Sequence, residues 1–163
     1  MTADRSGLLG VYLNDHLAGA MGGGELAKRL AGAHAGTSAE RELVQLARDV
    51  HDDRAALVQV MRDLDIAITR WKGVLAMVAE RAGRLKLNDR FLRRSPLSSV
   101  VELEAMRLGV EGKLAGWRTL LLVADAEPRL DRAGLTALVE RAEQQITLLE
   151  NLHRQAVADA LQG

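Results

Sequence analysis

The chain has 163 residues, which predicts one domain (residues 1–163) that is large enough to bury a hydrophobic core. It contains no cysteine, so disulfides, thiolate metal sites and cysteine nucleophiles are excluded. Lysine and arginine together number 22, as do aspartate and glutamate, and this balance argues against a general affinity for nucleic acid or anionic membranes.

The composition favours helices and gives no sign of a membrane segment. Aromatic residues make up only 2% of the chain, and leucine, alanine and valine dominate, which suits helix packing better than a strand-rich sheet. No apolar run approaches the length that spans a bilayer, and the first residues lack the charged-then-apolar order of a signal peptide. We therefore expect a cytoplasmic protein with no membrane partner.

Two helices are predicted in the first part of the chain. Apolar residues recur at helical spacing over residues 8–30 and again over residues 43–64. The first helix is predicted to begin after Asp4 or Ser6, since either side chain can cap it. A short turn over residues 32–38 joins the two helices, and Ser38 is the predicted cap of the second.

Four glycines interrupt the middle of the first predicted helix, at Gly19, Gly22, Gly23 and Gly24. Each costs about 1 kcal/mol relative to alanine in a helix, so some gain must compensate. We expect a neighbouring helix to approach closely there; a hinge, a bulge or a ligand that needs access to the backbone would also explain the glycines. A phosphate-binding loop is not indicated, because no strand precedes them and no Gly-Lys-Ser/Thr follows.

A long connection follows the second helix and is too long for a tight turn. Residues 71–82 have their own helical pattern, which predicts a short extra helix within this crossover. Residues 84–94 form the most basic stretch of the chain. We interpret this stretch as a loop whose apolar residues pack down while its arginines stay in water or lie near helix C-termini; a nucleic-acid or anion patch is the alternative.

The last part of the chain predicts two further helices, over residues 100–122 and 135–161, joined by a short turn around Pro128. Ser95 and Pro96 predict the start of the third helix, since proline is favoured at the first helical position. Asp131 is the predicted cap of the fourth helix.

Polar residues fall at matching heights in both predicted hairpins. Pairing the first two helices about Gly36 sets Asp15 and His16 level with Asp53. We expect His16 and Asp53 to share a hydrogen bond, because each stands at a position of its helix where the spacing otherwise places an apolar residue. Arg54 and Arg107 are alternative partners for Asp53. Pairing the last two helices sets Glu104 level with Glu150.

This layout of two hairpins joined by a long crossover resembles the ferritin-like superfamily, and Glu150-Asn-Leu-His153 resembles its Glu-x-x-His motif. The resemblance implies an all-α, antiparallel four-helix bundle with a short extra helix in the crossover between helices 2 and 3. It also implies carboxylate and histidine ligands for iron or manganese on all four helices. The positions of this chain that match are Asp15 or His16, Asp53, Glu104, Glu150 and His153. Glu111 is a further candidate, because it is better levelled with Asp53 than Glu104 is if the third helix runs parallel to the second.

The chain departs from the ferritin-like pattern, because Ala56 stands where the second-helix histidine would be. Its opening residues, Tyr-Leu-Asn-Asp-His-Leu-Ala-Gly at 12–19, resemble those of small uncharacterised actinobacterial proteins. We therefore expect a non-catalytic interaction or structural protein that has lost the di-metal site, holds no cofactor and self-associates into a dimer. The alternative is an oxidoreductase that binds iron or manganese through a nonstandard ligand set.

Overall fold

The computed structural model describes residues 2–69 and 95–161, and within these ranges the protein is an all-helical bundle without strands. The helices are α1 (Thr2–Ala33), α2 (Glu40–Asp63), α3 (Pro96–Val123) and α4 (Arg132–Leu161). The four long helices predicted from apolar periodicity are thus confirmed. The predicted extra helix over 71–82 and the basic stretch over 84–94 lie outside the described residues.

The helix starts test the predicted caps. Ser95 caps α3 by accepting a hydrogen bond from the Leu97 amide (3.3 Å), and Asp131 accepts one from the Ala133 amide (3.0 Å) at the start of α4. The prediction that Ser38 caps α2 is wrong: Ala39 occupies the cap position, and the Thr37 hydroxyl accepts from its amide (3.3 Å). The predicted start of α1 is also wrong, because the helix already begins at Thr2.

Each helix turns one stripe of apolar side chains toward a shared core. The stripe of α1 buries Leu13, Ala27 and Leu30, as its spacing predicted. The other three helices contribute the remaining large buried side chains, which include Leu43, Leu46, Leu57, Met61, Leu103, Met106, Val110, Leu120, Leu135 and Leu149. Within the described residues, no helix is long and apolar enough to cross a membrane.

The four helices contact one another around a ring. α1 packs against α2 and α3, while α4 packs extensively against α3 and over a short stretch against α2. Near the start of α1, Tyr12 donates a hydrogen bond to Thr119 near the end of α3 (3.1 Å). Within the described ranges, α2 and α3 do not pack against each other, so they occupy opposite corners of the ring.

The end of α2 is tied back to the start of α1. Asp65 adopts a left-handed backbone conformation (φ 56°) that stops the helix, and the Ile66 amide donates to the Met61 carbonyl (2.8 Å). The side chain of Asn14 then donates to the Ala67 carbonyl (3.1 Å) and accepts from the Thr69 amide (2.8 Å). One asparagine therefore fixes the path of the chain as it leaves the first hairpin.

Candidate functional site

A buried carboxylate lies at the centre of the bundle. Asp53 on α2 is only 2% exposed, and two cations from other helices donate to its oxygens: Lys113 of α3 to Oδ2 and Arg141 of α4 to Oδ1. A buried charge without a partner is too costly to keep, so these two side chains account for an aspartate in an apolar stripe.

Lys113 connects three helices through its ammonium group. It donates to Asp53 and also to Oε1 of Gln145, a buried residue of α4. Burial lowers the pKa of Lys113, while the charge of Asp53 and its hydrogen bond act in the opposite direction. We call Asp53, Lys113, Arg141 and Gln145 the buried polar cluster.

A cavity of about 450 Å³ lies beside this cluster, between α1, α2 and α3. Lys113 and Asp53 contribute to its wall, but most of the wall is apolar. The exposed residues Asp15 and Leu108 also line it, and they mark where it opens to the surface. Five glycines from two helices line it, so we call it the glycine-lined cavity: Gly19, Gly23, Gly109, Gly112 and Gly116.

The glycines of the cavity border open space rather than a neighbouring backbone. A Cβ atom added at Gly19, Gly23, Gly109 or Gly112 would meet no other atom within 4 Å. The expected close approach of a neighbouring helix is therefore wrong at Gly19 and Gly23. Gly116 differs, since an added Cβ would lie 3.1 Å from the ring of His16.

Trp117 belongs to the same wall and carries an unused donor. It is 3% exposed, and its indole Nε1 is buried without a hydrogen-bond partner. A buried indole N–H normally finds an acceptor, so its isolation is unusual. Lys113 and Trp117 are four residues apart on α3 and therefore lie on one face of the helix.

His16 and Tyr12 line the cavity on the α1 side. Their rings meet edge to face at a centroid distance of 4.5 Å, and the Tyr12 hydroxyl donates its hydrogen bond to Thr119. Burial lowers the pKa of His16, which the nearby Asp15 raises to a smaller extent. The imidazole is therefore held toward its neutral form inside the bundle.

The predicted hydrogen bond between His16 and Asp53 is wrong. Both residues line the cavity, but the oxygens of Asp53 accept from Lys113 and Arg141 instead. Neither Arg54 nor Arg107 is the partner of Asp53; Arg107 lies between two acids of α3 and α4. Lysine and arginine reach farther than histidine, which explains how cations from two other helices arrive at this carboxylate.

The seven residues proposed as metal ligands from the sequence are not gathered in one place. Asp15, His16 and Asp53 line the cavity, whereas Glu104 contacts His153 (3.0 Å) on the surface between α3 and α4. Glu111 and Glu150 share Arg107, at 3.9 and 3.5 Å, and Glu150 also accepts from Arg154 (2.6 Å). Within residues 2–69 and 95–161, no three histidine, aspartate or glutamate side chains are grouped so that they could hold a metal ion.

The sequence reasoning missed four of the residues that define the site: Lys113, Trp117, Arg141 and Gln145. The sequence did contain one signal for two of them. Lys113 and Trp117 are four residues apart on one predicted helix, and Gly109, Gly112 and Gly116 lie next to them. This pattern places a cation, an indole donor and a bare backbone on neighbouring positions of α3.

No protein-family model, curated protein or solved structure matches the chain. What the site can do chemically thus follows from its own shape and charge. The glycine-lined cavity offers an apolar space and an open backbone surface, with Lys113 and Asp53 as polar residues of its wall. Such an arrangement is suited to binding.

Proposed function

We propose that the protein is a ferritin-like, antiparallel four-helix bundle that acts as a non-catalytic binding protein and holds a small, mostly apolar molecule in the glycine-lined cavity. The observation that carries this proposal is the cavity itself, about 450 Å³ in volume and lined in part by four glycines with open space in front of them. Ligand sites in proteins commonly have volumes of about 300 to 1,000 Å³ and mostly apolar walls.

The contacts between helix ends support the antiparallel arrangement. Tyr12 near the start of α1 meets Thr119 near the end of α3, and Arg29 near the end of α1 lies 3.4 Å from Glu102 near the start of α3. The α3 and α4 helices pair in the same manner, as Arg118 lies 2.7 Å from Glu143 while Glu104 contacts His153. Together with the turn between α1 and α2, these contacts support the helix order that we propose, that of a ferritin-like bundle.

The energetics of the glycines support a binding role for the cavity. Each glycine within a helix costs about 1 kcal/mol relative to alanine, and four of the five in the wall have room for a Cβ. Packing therefore gives no reason for glycine at these four positions. A ligand that lies against the bare backbone does give one, because a side chain would occupy its place.

Binding of a neutral apolar probe tests this proposal. Titration of the full chain with 1-decanol, followed by calorimetry or by amide chemical shifts, should give saturable binding with shifts at α1 and α3. Gly23→Leu should abolish the binding because its side chain fills the cavity. Gly32→Leu is the matched control, since Gly32 lies on α1 outside the cavity with no atom within 4 Å of an added Cβ. No binding by the wild type, or equal binding by both variants, contradicts the proposal.

We also propose that two copies of the chain associate through the outer face of α3. Val101, Leu108 and Leu122 are exposed large hydrophobic residues separated by seven and fourteen residues, so they follow one apolar stripe that winds slowly around the helix. The equal numbers of cationic and anionic residues leave no net charge to keep two copies apart. A second copy, with the same stripe, is the partner that this surface fits.

A further inference from the structure

The glycine-lined cavity and the apolar stripe of α3 share one residue. Leu108 lines the cavity, and it is also the member of the stripe between Val101 and Leu122. It is 72% exposed, so the cavity wall reaches the protein surface at this leucine. The surface proposed to receive a second copy of the chain therefore includes part of the cavity opening.

More of the opening lies beside the stripe. Gly109 and Gly112 line the cavity and are exposed, and Gly112 lies about one helical turn from Leu108 on the same face of α3. The α3 residues that line the cavity run from Met106 to Leu120. They fall within the span of about 30 Å from Val101 to Leu122. A partner that lies along the whole stripe thus passes across the opening.

The opposite edge of the opening belongs to α1. Gly19 lines the cavity and is exposed. The two polar contacts between the ends of α1 and α3 lie the same number of residues apart along each helix, so the pair keeps one register. This register sets Gly19 level with Gly112, and a Cβ added at either glycine would meet no atom within 4 Å. The opening therefore lies between the two helices, next to the stripe.

We propose that self-association closes the mouth of the glycine-lined cavity, so that ligand binding and dimer formation strengthen each other. This inference rests on the proposed binding function and the proposed dimer, and it names how the binding site is regulated. A partner that covers an empty cavity faces open space, where its side chains lack van der Waals contacts. A bound apolar molecule fills this space, and more apolar surface is then removed from water. The ligand stabilises the dimer, and the dimer holds the ligand more tightly by the same coupling free energy.

Sedimentation equilibrium of the full chain, with and without 1-decanol below its solubility limit, measures the effect of the ligand on the dimer. The dimer dissociation constant should fall by about 10-fold or more, which corresponds to roughly 3-fold tighter binding at each of the two cavities. Gly23→Leu fills the cavity, so its dimer should not respond to 1-decanol, whereas Gly32→Leu should respond like the wild type. An equal response in both variants would place 1-decanol on the stripe itself and overturn the proposal.

Calorimetric titration with 1-decanol, at protein concentrations where the wild type is dimeric, measures the effect of the dimer on the ligand. Leu122→Glu interrupts the stripe outside the cavity wall, so this variant, as a monomer, should bind 1-decanol roughly 3-fold more weakly than the wild type. Leu161→Glu places the same charge at an exposed leucine of α4 and should bind like the wild type.

The outcomes separate this inference from the proposed binding function. Equal affinities of the wild type and Leu122→Glu for 1-decanol, or a dimer that 1-decanol weakens, would overturn the inference and leave the binding function standing. A wild type that stays monomeric with 1-decanol bound would have the same meaning. If 1-decanol binds none of these proteins, both proposals are overturned.

Discussion

Lys113 and Asp53 form an ion pair across the diagonal of the bundle, between two helices that do not pack against each other within the described ranges. The contact is made through the core rather than along a helix seam, and Gln145 and Arg141 join it from α4. A side chain as long as lysine is needed to bridge this distance. The buried polar cluster therefore links α2, α3 and α4.

Replacement of Asp53 by asparagine tests how strongly the fold depends on this pair. Asp53→Asn keeps the shape of the side chain but leaves Lys113 and Arg141 without a counter-charge, so the free energy of unfolding should fall by roughly 3 kcal/mol. Asp52→Asn changes an exposed neighbour on the same helix and should have an effect below about 0.5 kcal/mol. Urea denaturation of the three proteins makes the comparison, and similar midpoints would contradict a structural role for the pair.

The glycines give a prediction that reverses the expectation of close helix packing. Gly23→Ala should stabilise the protein by about 0.5 to 1 kcal/mol, because its Cβ meets no neighbour and alanine favours the helix. Gly116→Ala should gain less or lose stability, since the added Cβ would lie 3.1 Å from His16. Thermal melting of both variants measures the difference, and equal shifts would mean that His16 moves aside without cost.

His16 predicts a loss of stability in mild acid. The unfolded chain takes up the proton of this histidine near pH 6.5, whereas burial lowers its pKa in the folded protein. As the pH falls below 6.5, the unfolded state binds more protons, so the folded state loses stability until the pH reaches the lowered pKa. Unfolding measured at pH 7.5 and pH 5.5 should show a smaller acid effect in His16→Gln than in the wild type. His51→Gln, at an exposed position, should behave like the wild type.

Addition of iron or manganese should leave the melting temperature of the protein unchanged. An ion that binds only the folded state must raise it, but Asp53 is engaged by two cations, and Glu111 and Glu150 share Arg107. Calorimetry with and without Fe²⁺ or Mn²⁺, on protein purified without chelator, makes the test. A rise that disappears in His153→Ala would instead support the metal-binding alternative.

The apolar stripe of α3 predicts concentration-dependent self-association. Leu122 is 80% exposed, so Leu122→Glu should weaken the dimer at least 10-fold without loss of folding. Leu161→Glu is the control, because it places the same charge at an exposed leucine of α4. Sedimentation equilibrium compares the three proteins, and a monomeric wild type at high concentration would refute the proposal.

Periodicity predicted the four helices of the fold because the helical spacing of apolar residues can be recognised within each segment of the sequence by itself. The stripe of α1 led to Leu13, Ala27 and Leu30 in the core, and the Ser95-Pro96 pair led to the start of α3. The error at Ser38 arose because several residues of a short polar turn can serve as the cap, and Thr37 is the one whose hydroxyl reaches the backbone.

The contents of the site could not be predicted to the same degree, because periodicity assigns a residue to a face but gives no distance between helices. Asp53 was recognised as unusual in its stripe, and Asp15 and His16 were placed at its height. The identity of its partners depended on which helices are neighbours and on the reach of Lys113 and Arg141. The same lack of distances made a row of glycines look like a helix contact when it borders a cavity.

The position of the buried ion pair along the chain has a consequence for the order of folding. Asp53 lies in the first hairpin, but both of its cations lie in the second, at Lys113 and Arg141. During synthesis the first hairpin emerges well before these residues, and its central carboxylate remains hydrated until α4 has been made. The charge pairing of Asp53 is therefore complete only when both hairpins are present.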